Sequence, residues 1–183
     1  MNRAFDWYEV AEGPDLEQGD LLPGCPLLLL PTDVTCADFL RATEAGESQL
    51  ADLQLADVVV MSQTCDLAHH KLSAVMLCSY YSLDDLTERN PDLGTRGNRE
   101  KLRQGHFPAY HLVNQSRLPG FVTGLQVVDF KDVHGLPVQV ARDFAENLGP
   151  RLRLLPPYRE HLAQAFARYF MRVGLPVDIP PFQ

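Results

Sequence analysis

Apolar residues are grouped in short blocks along the chain, and the blocks are separated by polar stretches. The run at 58–61 is β-branched and apolar, which predicts a strand that is buried on both faces. Similar blocks at 74–81, 106–113 and 121–130 predict further strands. The leucine run at 27–30 lies between two prolines and predicts an edge strand or an extended segment, because proline cannot donate a ladder hydrogen bond.

Two further patterns complete the secondary-structure prediction. The dipeptide His134-Gly135 is typical of a tight turn, so residues 136–140 are expected to pair back as a hairpin. Apolar residues at helical spacing predict a helix over 35–45, which Thr35 would cap and Gly46 would end. A C-terminal helix is predicted over 157–173, since proline suits a first helical turn and residues 174–176 (Gly-Leu-Pro) would stop it.

Length and composition predict one domain over residues 1–183, with 45% hydrophobic residues to form its core. The element order predicts a mainly β protein with peripheral helices, an α+β fold built on a small antiparallel barrel. Its strands would be interrupted by insertions near 32–55 and 83–105. No apolar run is long enough for a membrane span and the N-terminus lacks a signal-peptide core, so we expect a cytoplasmic protein without membrane contact.

The densest cluster of reactive side chains directly follows the strand predicted at 58–61. A short helix over 65–71 is expected there, capped by a hydroxyl side chain, with a thiol in its first turn and a histidine one turn later. This spacing suits a nucleophile with its base, or a metal site built on Cys65 with His69 or His70 and a distant histidine, His106 or His111. The alternative is a buried structural cysteine. The candidate catalytic residues are Ser62, Thr64, Cys65, Asp66 and His69.

The four cysteines form no CxxC pair, so the sequence predicts neither a structural zinc site nor a disulfide framework, and no cofactor. Cys65 is expected to be the most reactive of them. The net charge of -8 argues against a general nucleic-acid binder. However, residues 1–100 hold 18 acidic and 6 basic residues, while residues 101–183 hold 6 and 10. The halves could pack on each other, or the basic half could face a polyanion and the acidic half a protein partner.

One segment combines cations with aromatic rings, the two needs of a single-stranded nucleic acid. It is either an exposed insertion or a substrate-facing loop. The candidate nucleic-acid-binding residues are Arg96, Arg99, Lys101, Arg103, Phe107 and Tyr110.

Three stretches carry a resemblance to a known family: Gln18-Gly-Asp-Leu-Leu22, Val58-Val-Val-Met-Ser62 and Val75-Met-Leu-Cys78. They resemble the opening strand, the second strand and the strand after it in the PemK/MazF-like family. The resemblance implies a small SH3-like barrel, and a nucleic-acid-acting, endoribonuclease-like protein of a bacterial toxin–antitoxin or defence system.

Three functions therefore remain open. The first is a PemK/MazF-like barrel protein that acts on single-stranded nucleic acid through the basic segment. The second is a thiol- or metal-dependent hydrolase built on Cys65 and His69. The third is a non-catalytic interaction module that binds a protein through the acidic first half.

Overall fold

The structure is a computed structural model that describes residues 6–46 and 51–171. Its strands are β1 (Tyr8–Ala11), β2 (Leu21–Leu29), β3 (Asp52–Val60), β4 (Ala74–Ser82), β5 (Tyr110–Val113), β6 (Arg117–Leu118), β7 (Phe121–Val122), β8 (Gln126–Pro137) and β9 (Arg151–Leu154). Its helices are α1 (Cys36–Ala45), α2 (Thr64–Ala68), α3 (Leu83–Arg89), α4 (Arg96–Arg103), α5 (Val138–Leu148) and α6 (Tyr158–Phe170), with a 3-10 helix at Pro91–Gly94.

The central element is a five-stranded antiparallel sheet in the order β2-β3-β4-β8-β5. Strands β1 and β9 form a second, two-stranded sheet, and β6 pairs with β7. The mixed α+β class and the antiparallel pairing are therefore as predicted. Within the described residues the five-stranded sheet does not close into a barrel, since β2 and β5 each pair on one side only.

The end of strand β3, at residues 58–60, is buried on both faces, as its apolar run predicts. Val58 and Val60 pack into a core cluster with α5, while Val59 lies in a second cluster with Leu162 of α6. All three valines are fully buried. Because successive side chains of a strand point to opposite faces, an unbroken apolar run is what a strand between two helical layers requires.

Strand β2 is the edge strand that the prolines predict. It contains Pro23 and Pro26, and its pairing with β3 shifts register between Leu22 and Cys25. A proline at an edge or a bulge removes no ladder hydrogen bond that the sheet needs.

The predicted turn at His134-Gly135 is wrong, and the hairpin at 136–140 with it. Strand β8 runs on to Pro137, where His134 pairs with Leu77 and Gly135 with Met76 of β4. Residues 138–140 begin helix α5, which buries Ala141 and Ala145 completely. These two alanines are four residues apart, so they share one face of the helix. The turn prediction failed because glycine occurs within strands as well as in tight turns.

The C-terminal helix is present as α6, although residues 172 and 173 of its predicted span lie outside the described residues. The region 32–55 contains α1 and the start of β3, and 83–105 contains α3, the 3-10 helix and α4. No helix among the described residues is long and apolar enough to cross a membrane.

Residues 19 and 20 join the five-stranded sheet to the β1–β9 sheet. Gly19 N donates to Val60 O at 2.8 Å, and Leu154 N donates to Gly19 O at 3.0 Å. Gly19 has φ +90°, and a Cβ there would lie 3.0 Å from the Cβ of Leu154. Only glycine fits at position 19 without displacing β9.

A buried ion pair also holds residues 19 and 20 against strand β9. Asp20 is fully buried and Arg151 is 1% exposed, and Arg151 Nε donates to Asp20 Oδ2 at 2.9 Å. The other guanidinium nitrogens of Arg151 donate to the carbonyl oxygens of Gly13 and Asp15 at 2.8 and 2.7 Å. Every nitrogen of this buried cation therefore has an acceptor, as a charge without water requires.

Two more arginines extend the ion pair toward α6. Arg153 donates to both carboxylate oxygens of Asp20, and it bonds Glu17 Oε1 at 2.7 Å. Arg159, in the first turn of α6, bonds Glu17 Oε2 at 3.1 Å. Helix α6 is thus held against β9 by charges as well as by its apolar stripe.

Candidate functional site

The turn after β3 differs in detail from its prediction. Helix α2 spans Thr64–Ala68 and not 65–71, and its N-cap is Gln63. Ser62 Oγ accepts from Met76 N at 2.8 Å, and Thr64 Oγ1 accepts from Gln18 N at 3.2 Å. The two hydroxyl oxygens thus hold the turn to β4 and to the segment before β2, and neither caps α2 with its side chain, contrary to the prediction.

Cys65 and His69 do not line a common cleft in the described structure. Cys65 is exposed, and its Sγ lies 3.8 Å from Asp66 Oδ1, while Asp66 also pairs with Lys71 at 3.4 Å. His69 ends the helix, and its backbone N–H donates to Cys65 O at 3.1 Å. A shallow cleft of about 400 Å³ beside the thiol is lined by Gln18, Gln63, Thr64, Cys65, Arg159, Glu160, Ala163 and Gln164.

The neighbours of Cys65 do not resemble an activated nucleophile. The thiol donates toward Asp66 Oδ1, and the cleft beside it contains no histidine to act as a base. Burial raises the pKa of the Cys25 thiol to about 11 and that of the Cys78 thiol to about 12. Cys36 and Cys65 are exposed, so these two are the thiols that a reagent can reach. No group of three His, Cys, Asp or Glu side chains among the described residues could hold a metal ion.

The predicted basic segment forms α4. Thr95 caps this helix by accepting from Asn98 N at 3.3 Å, and Leu102 is buried beneath it. Arg96, Arg99 and Lys101 are exposed. The remaining cation, Arg103, is engaged within the helix, as its guanidinium donates two hydrogen bonds to Glu100 at 2.8 and 2.6 Å. This pairing lowers the pKa of Glu100 to about 2.

A cleft of about 550 Å³ separates the end of α4 and strand β5 from helix α6. Its lining residues are Leu102, Arg103, Gln104, Gly105, Phe107, Pro108, Tyr110, His111, Leu112, His161, Gln164, Ala165 and Arg168. Among them are two arginines, two histidines and two aromatic residues, and none is Asp or Glu. In a chain with a net charge of -8, a cleft lined in this way is suited to an anion.

Three of the predicted nucleic-acid-binding residues line this cleft, namely Arg103, Phe107 and Tyr110. Both aromatic rings are partly buried and pack against the small core cluster that contains Leu102. Lys131 adds a cation on this side, with its Nζ 2.8 Å from the Tyr110 hydroxyl and 4.6 Å from the centre of the ring. The rings are thus fixed in place by the core.

Arg96 and Arg99 line a neighbouring cleft of about 660 Å³, together with Leu83, Gly94, Glu100, Arg103, Leu112 and Leu125. Lys101 lines neither cleft. The basic segment therefore contributes to two clefts, with Arg103 as a wall of both.

The residues that α6 contributes were not predicted from the sequence. His161, Gln164, Ala165 and Arg168 recur at intervals of three and four and share one face of the helix. This spacing was available in the sequence, but no local pattern indicated which element this face of the helix would meet. That α6 faces α4 follows from contacts between residues far apart in the chain.

His111 is held uncharged at neutral pH by its surroundings. Its ring stacks on Phe130 with centroids 6.2 Å apart. Burial, and secondarily the nearby His161, lower the pKa of His111 from 6.5 to about 4. His111 therefore adds no positive charge to the cleft at neutral pH.

The depressed pKa of His111 predicts a loss of stability in acid. Between pH 6.5 and 4 the unfolded chain binds a proton at this position and the folded chain does not. Stability should therefore fall as pH falls, by up to about 3 kcal/mol at pH 4. His111→Phe keeps a ring against Phe130 and cannot titrate, so its unfolding free energy should lack this component. Urea unfolding of both proteins across this pH range measures the difference, and parallel profiles would contradict the assignment.

A serine, a histidine and an aspartate meet elsewhere on the sheet, between β4 and β8. His134 Nε2 lies 2.9 Å from Ser79 Oγ and 3.1 Å from Asp132 Oδ1. Both contacts therefore fall on the same ring nitrogen. A catalytic triad instead places the serine and the carboxylate on opposite nitrogens of the imidazole, so this arrangement is not a triad. Tyr81 donates to the other oxygen of Asp132 at 2.9 Å, which completes a polar network within the sheet.

The comparisons with known proteins add no relative to this description. No protein-family model matches the chain, and no curated protein or solved structure is significantly similar to it.

Proposed function

We propose that this protein binds single-stranded nucleic acid in the cleft between α4–β5 and α6. The observation that carries the proposal is the composition of the cleft lining, with Arg103 and Arg168 beside Phe107 and Tyr110 and without an acidic residue. Cations neutralise phosphates, and flat rings provide surfaces on which unpaired bases stack. A duplex has no unpaired bases to offer, so single strands should be preferred.

The cleft also has side chains for the endoribonuclease-like activity that the resemblance to the PemK/MazF-like family implies. His111 is uncharged at neutral pH and can accept the proton of a ribose hydroxyl as its oxygen attacks the adjacent phosphorus. His161, when protonated, can donate a proton to the oxygen that leaves as the phosphorus–oxygen bond breaks. The activity part of the proposal predicts cleavage of RNA and not of DNA of the same sequence.

The SH3-like barrel belongs to the same proposal. Two contacts support an open relative of such a barrel, in which the β1–β9 sheet lies across the gap between the edges of the larger sheet. Residues 19 and 20 connect β9 to the end of β3, and the Tyr8 hydroxyl of β1 donates to Asn114 O, just after β5, at 2.6 Å.

The alternatives have less support. A hydrolase built on Cys65 and His69 has no base in the cleft that Cys65 lines. A protein partner for the acidic first half stays a prediction.

The binding proposal is tested by fluorescence anisotropy with labelled single strands of RNA and DNA and a duplex of equal length. We expect weak binding of the single strands that falls steeply with salt; no binding at low salt would reject the proposal.

Cleavage is tested separately from binding. His161→Gln removes the proton donor from an exposed position and should stop RNA cleavage while the anisotropy titration remains within about twofold of wild type. If neither wild type nor variant cleaves RNA that both bind, the protein is a binding module and not a nuclease.

Replacing Glu100 is expected to raise the affinity of the protein for single-stranded nucleic acid. Its carboxylate occupies the guanidinium of Arg103, at the boundary of the two clefts, and competes with a phosphate for the same nitrogens. Glu100→Gln removes this competitor and one negative charge, so affinity for a single strand at low salt should rise by about three- to tenfold. Glu88→Gln, an exposed change on α3 outside both clefts, is the matched control and should leave affinity unchanged.

A further inference from the structure

The two clefts beside α4 and the cleft beside Cys65 are neighbours. The clefts of about 660 and 550 Å³ share Arg103 and Leu112, and those of about 550 and 400 Å³ share Gln164. On α6, residues 160, 163 and 164 line the last cleft and residues 161, 164, 165 and 168 the middle one. These sets occupy adjacent faces of the helix, and Gln164 belongs to both. The Arg168 guanidinium lies 3.4 Å from Gln164 Oε1 at this junction.

We infer that the three clefts form one groove for an extended single strand of nucleic acid, which runs from Arg96 across Gln164 to Cys65. The inference rests on the proposed function and adds the path and the length of the ligand. Each cleft alone is within the range of about 300–1,000 Å³ that a small ligand fills. Three such clefts in series exceed what one nucleotide can occupy, so the ligand that fits is an oligonucleotide.

Charge is distributed along the groove as an extended polyanion requires. Arg96 and Arg99 lie at one end, Arg103 at the first junction, where Glu100 pairs with it, and Arg168 at the second. Arg159 lies in the last cleft, although it is engaged by Glu17 and Glu160. Several cations in sequence can each neutralise one phosphate of a chain, while a mononucleotide could contact only one or two of them.

The last cleft has a different chemistry from the first two. Glu160 lines it with a side chain that is 46% exposed and whose Oε1 lies 3.3 Å from Arg159. A carboxylate repels phosphates and accepts hydrogen bonds, so it can accept from an amino group of a base or a hydroxyl group of a sugar. This end of the groove is therefore suited to a base or sugar edge, whereas the arginine end is suited to phosphates.

The cysteines provide the test. Cys65 lines the last cleft and Cys36 of α1 lies outside all three, while both are exposed. The full chain is alkylated with iodoacetamide with and without a saturating thymidine DNA homopolymer of about 12 nucleotides, which the proposed ribonuclease activity does not cleave, and with thymidine monophosphate. The rate at each cysteine is read by peptide mass spectrometry, while anisotropy confirms saturation. We expect the oligonucleotide to slow modification of Cys65 at least about fivefold and to leave Cys36 unchanged, and the mononucleotide to protect neither.

Two outcomes separate this inference from the proposed function. If the oligonucleotide binds but Cys65 reacts at its unliganded rate, the groove ends before Gln164 and the inference fails while the proposed function stands. If no oligonucleotide binds, both fail. Equal protection of Cys36 and Cys65 would also contradict a defined path.

A variant in the last cleft distinguishes direct cover from an indirect effect on the thiol. Gln63→Glu places a carboxylate at an exposed position that lines the last cleft and neither of the other two, so it should abolish protection of Cys65 while binding in the first two clefts persists. Gln54→Glu, an exposed change of the same type on β3 outside the three clefts, should leave protection intact. Protection that survives Gln63→Glu unchanged would overturn the proposed path.

Discussion

Replacing Asp20 with alanine is expected to lower the free energy of unfolding by about 3–5 kcal/mol, the largest effect of any single change considered for this protein. Asp20 is fully buried and accepts from Arg151 and Arg153. Without it Arg151, itself almost completely buried, keeps only two carbonyl acceptors for its charge. An uncompensated buried cation is what makes the change so costly.

The control for this prediction is Asp15→Ala. Asp15 is exposed, and it bonds the same arginines through its backbone carbonyl, which alanine retains. Its replacement should change stability by no more than about 0.5 kcal/mol. Urea unfolding followed by circular dichroism measures both variants. A loss below about 1 kcal/mol for Asp20→Ala would mean that water reaches Arg151 and that the ion pair is not what holds β9 to the sheet.

The second large effect is expected on binding. The double variant Arg103→Ala/Arg168→Ala removes both arginines that line the middle cleft. Each lost phosphate contact should lower the slope of log affinity against log salt by about 0.7, so the double variant should lose about 1.4. Affinity for a single strand at low salt should fall by about 10- to 100-fold.

The double variant Arg41→Ala/Arg89→Ala is the matched control for charge alone, since it also removes two arginines. Arg41 on α1 and Arg89 on α3 are exposed and line none of the three clefts. This control should leave both affinity and slope unchanged. Equal losses in the control and in the Arg103→Ala/Arg168→Ala variant would show a diffuse attraction to net charge and would remove the middle cleft as the site.

Local patterns predicted the elements whose evidence lies within a few residues. The segments themselves contain the signals for three features: the valine run predicts the buried end of β3, the prolines predict the edge position of β2, and the apolar stripe predicts helix α6. The end of β8 was predicted to be a turn because a glycine such as Gly135 occurs both in tight turns and within strands. Only its pairing with Met76, far away in the chain, makes it a strand.

The candidate site divides in the same way. Arg103, Phe107 and Tyr110 were predicted together because they lie close in sequence, and they do line one cleft. His161 and Arg168 complete that cleft from α6, and the packing of this helix depends on Asp20, Glu17 and Arg159 as well as on its apolar face. No local pattern contains that information. The capping roles predicted for Ser62 and Thr64 were wrong for the same reason, since their hydroxyl oxygens accept hydrogen bonds from distant backbone groups.

The most direct test of the proposed site is photochemical cross-linking of the intact protein to a single strand that contains iodouracil, followed by peptide mapping. The rings of Phe107 and Tyr110 and the imidazoles of His111 and His161 line the middle cleft, so they are the groups a stacked base would touch. We predict cross-links in peptides that contain residues 103–111 and 161–168, and their loss in the Arg103→Ala/Arg168→Ala variant. Cross-links confined to residues outside the three clefts, from a strand that binds with normal affinity, would contradict the account.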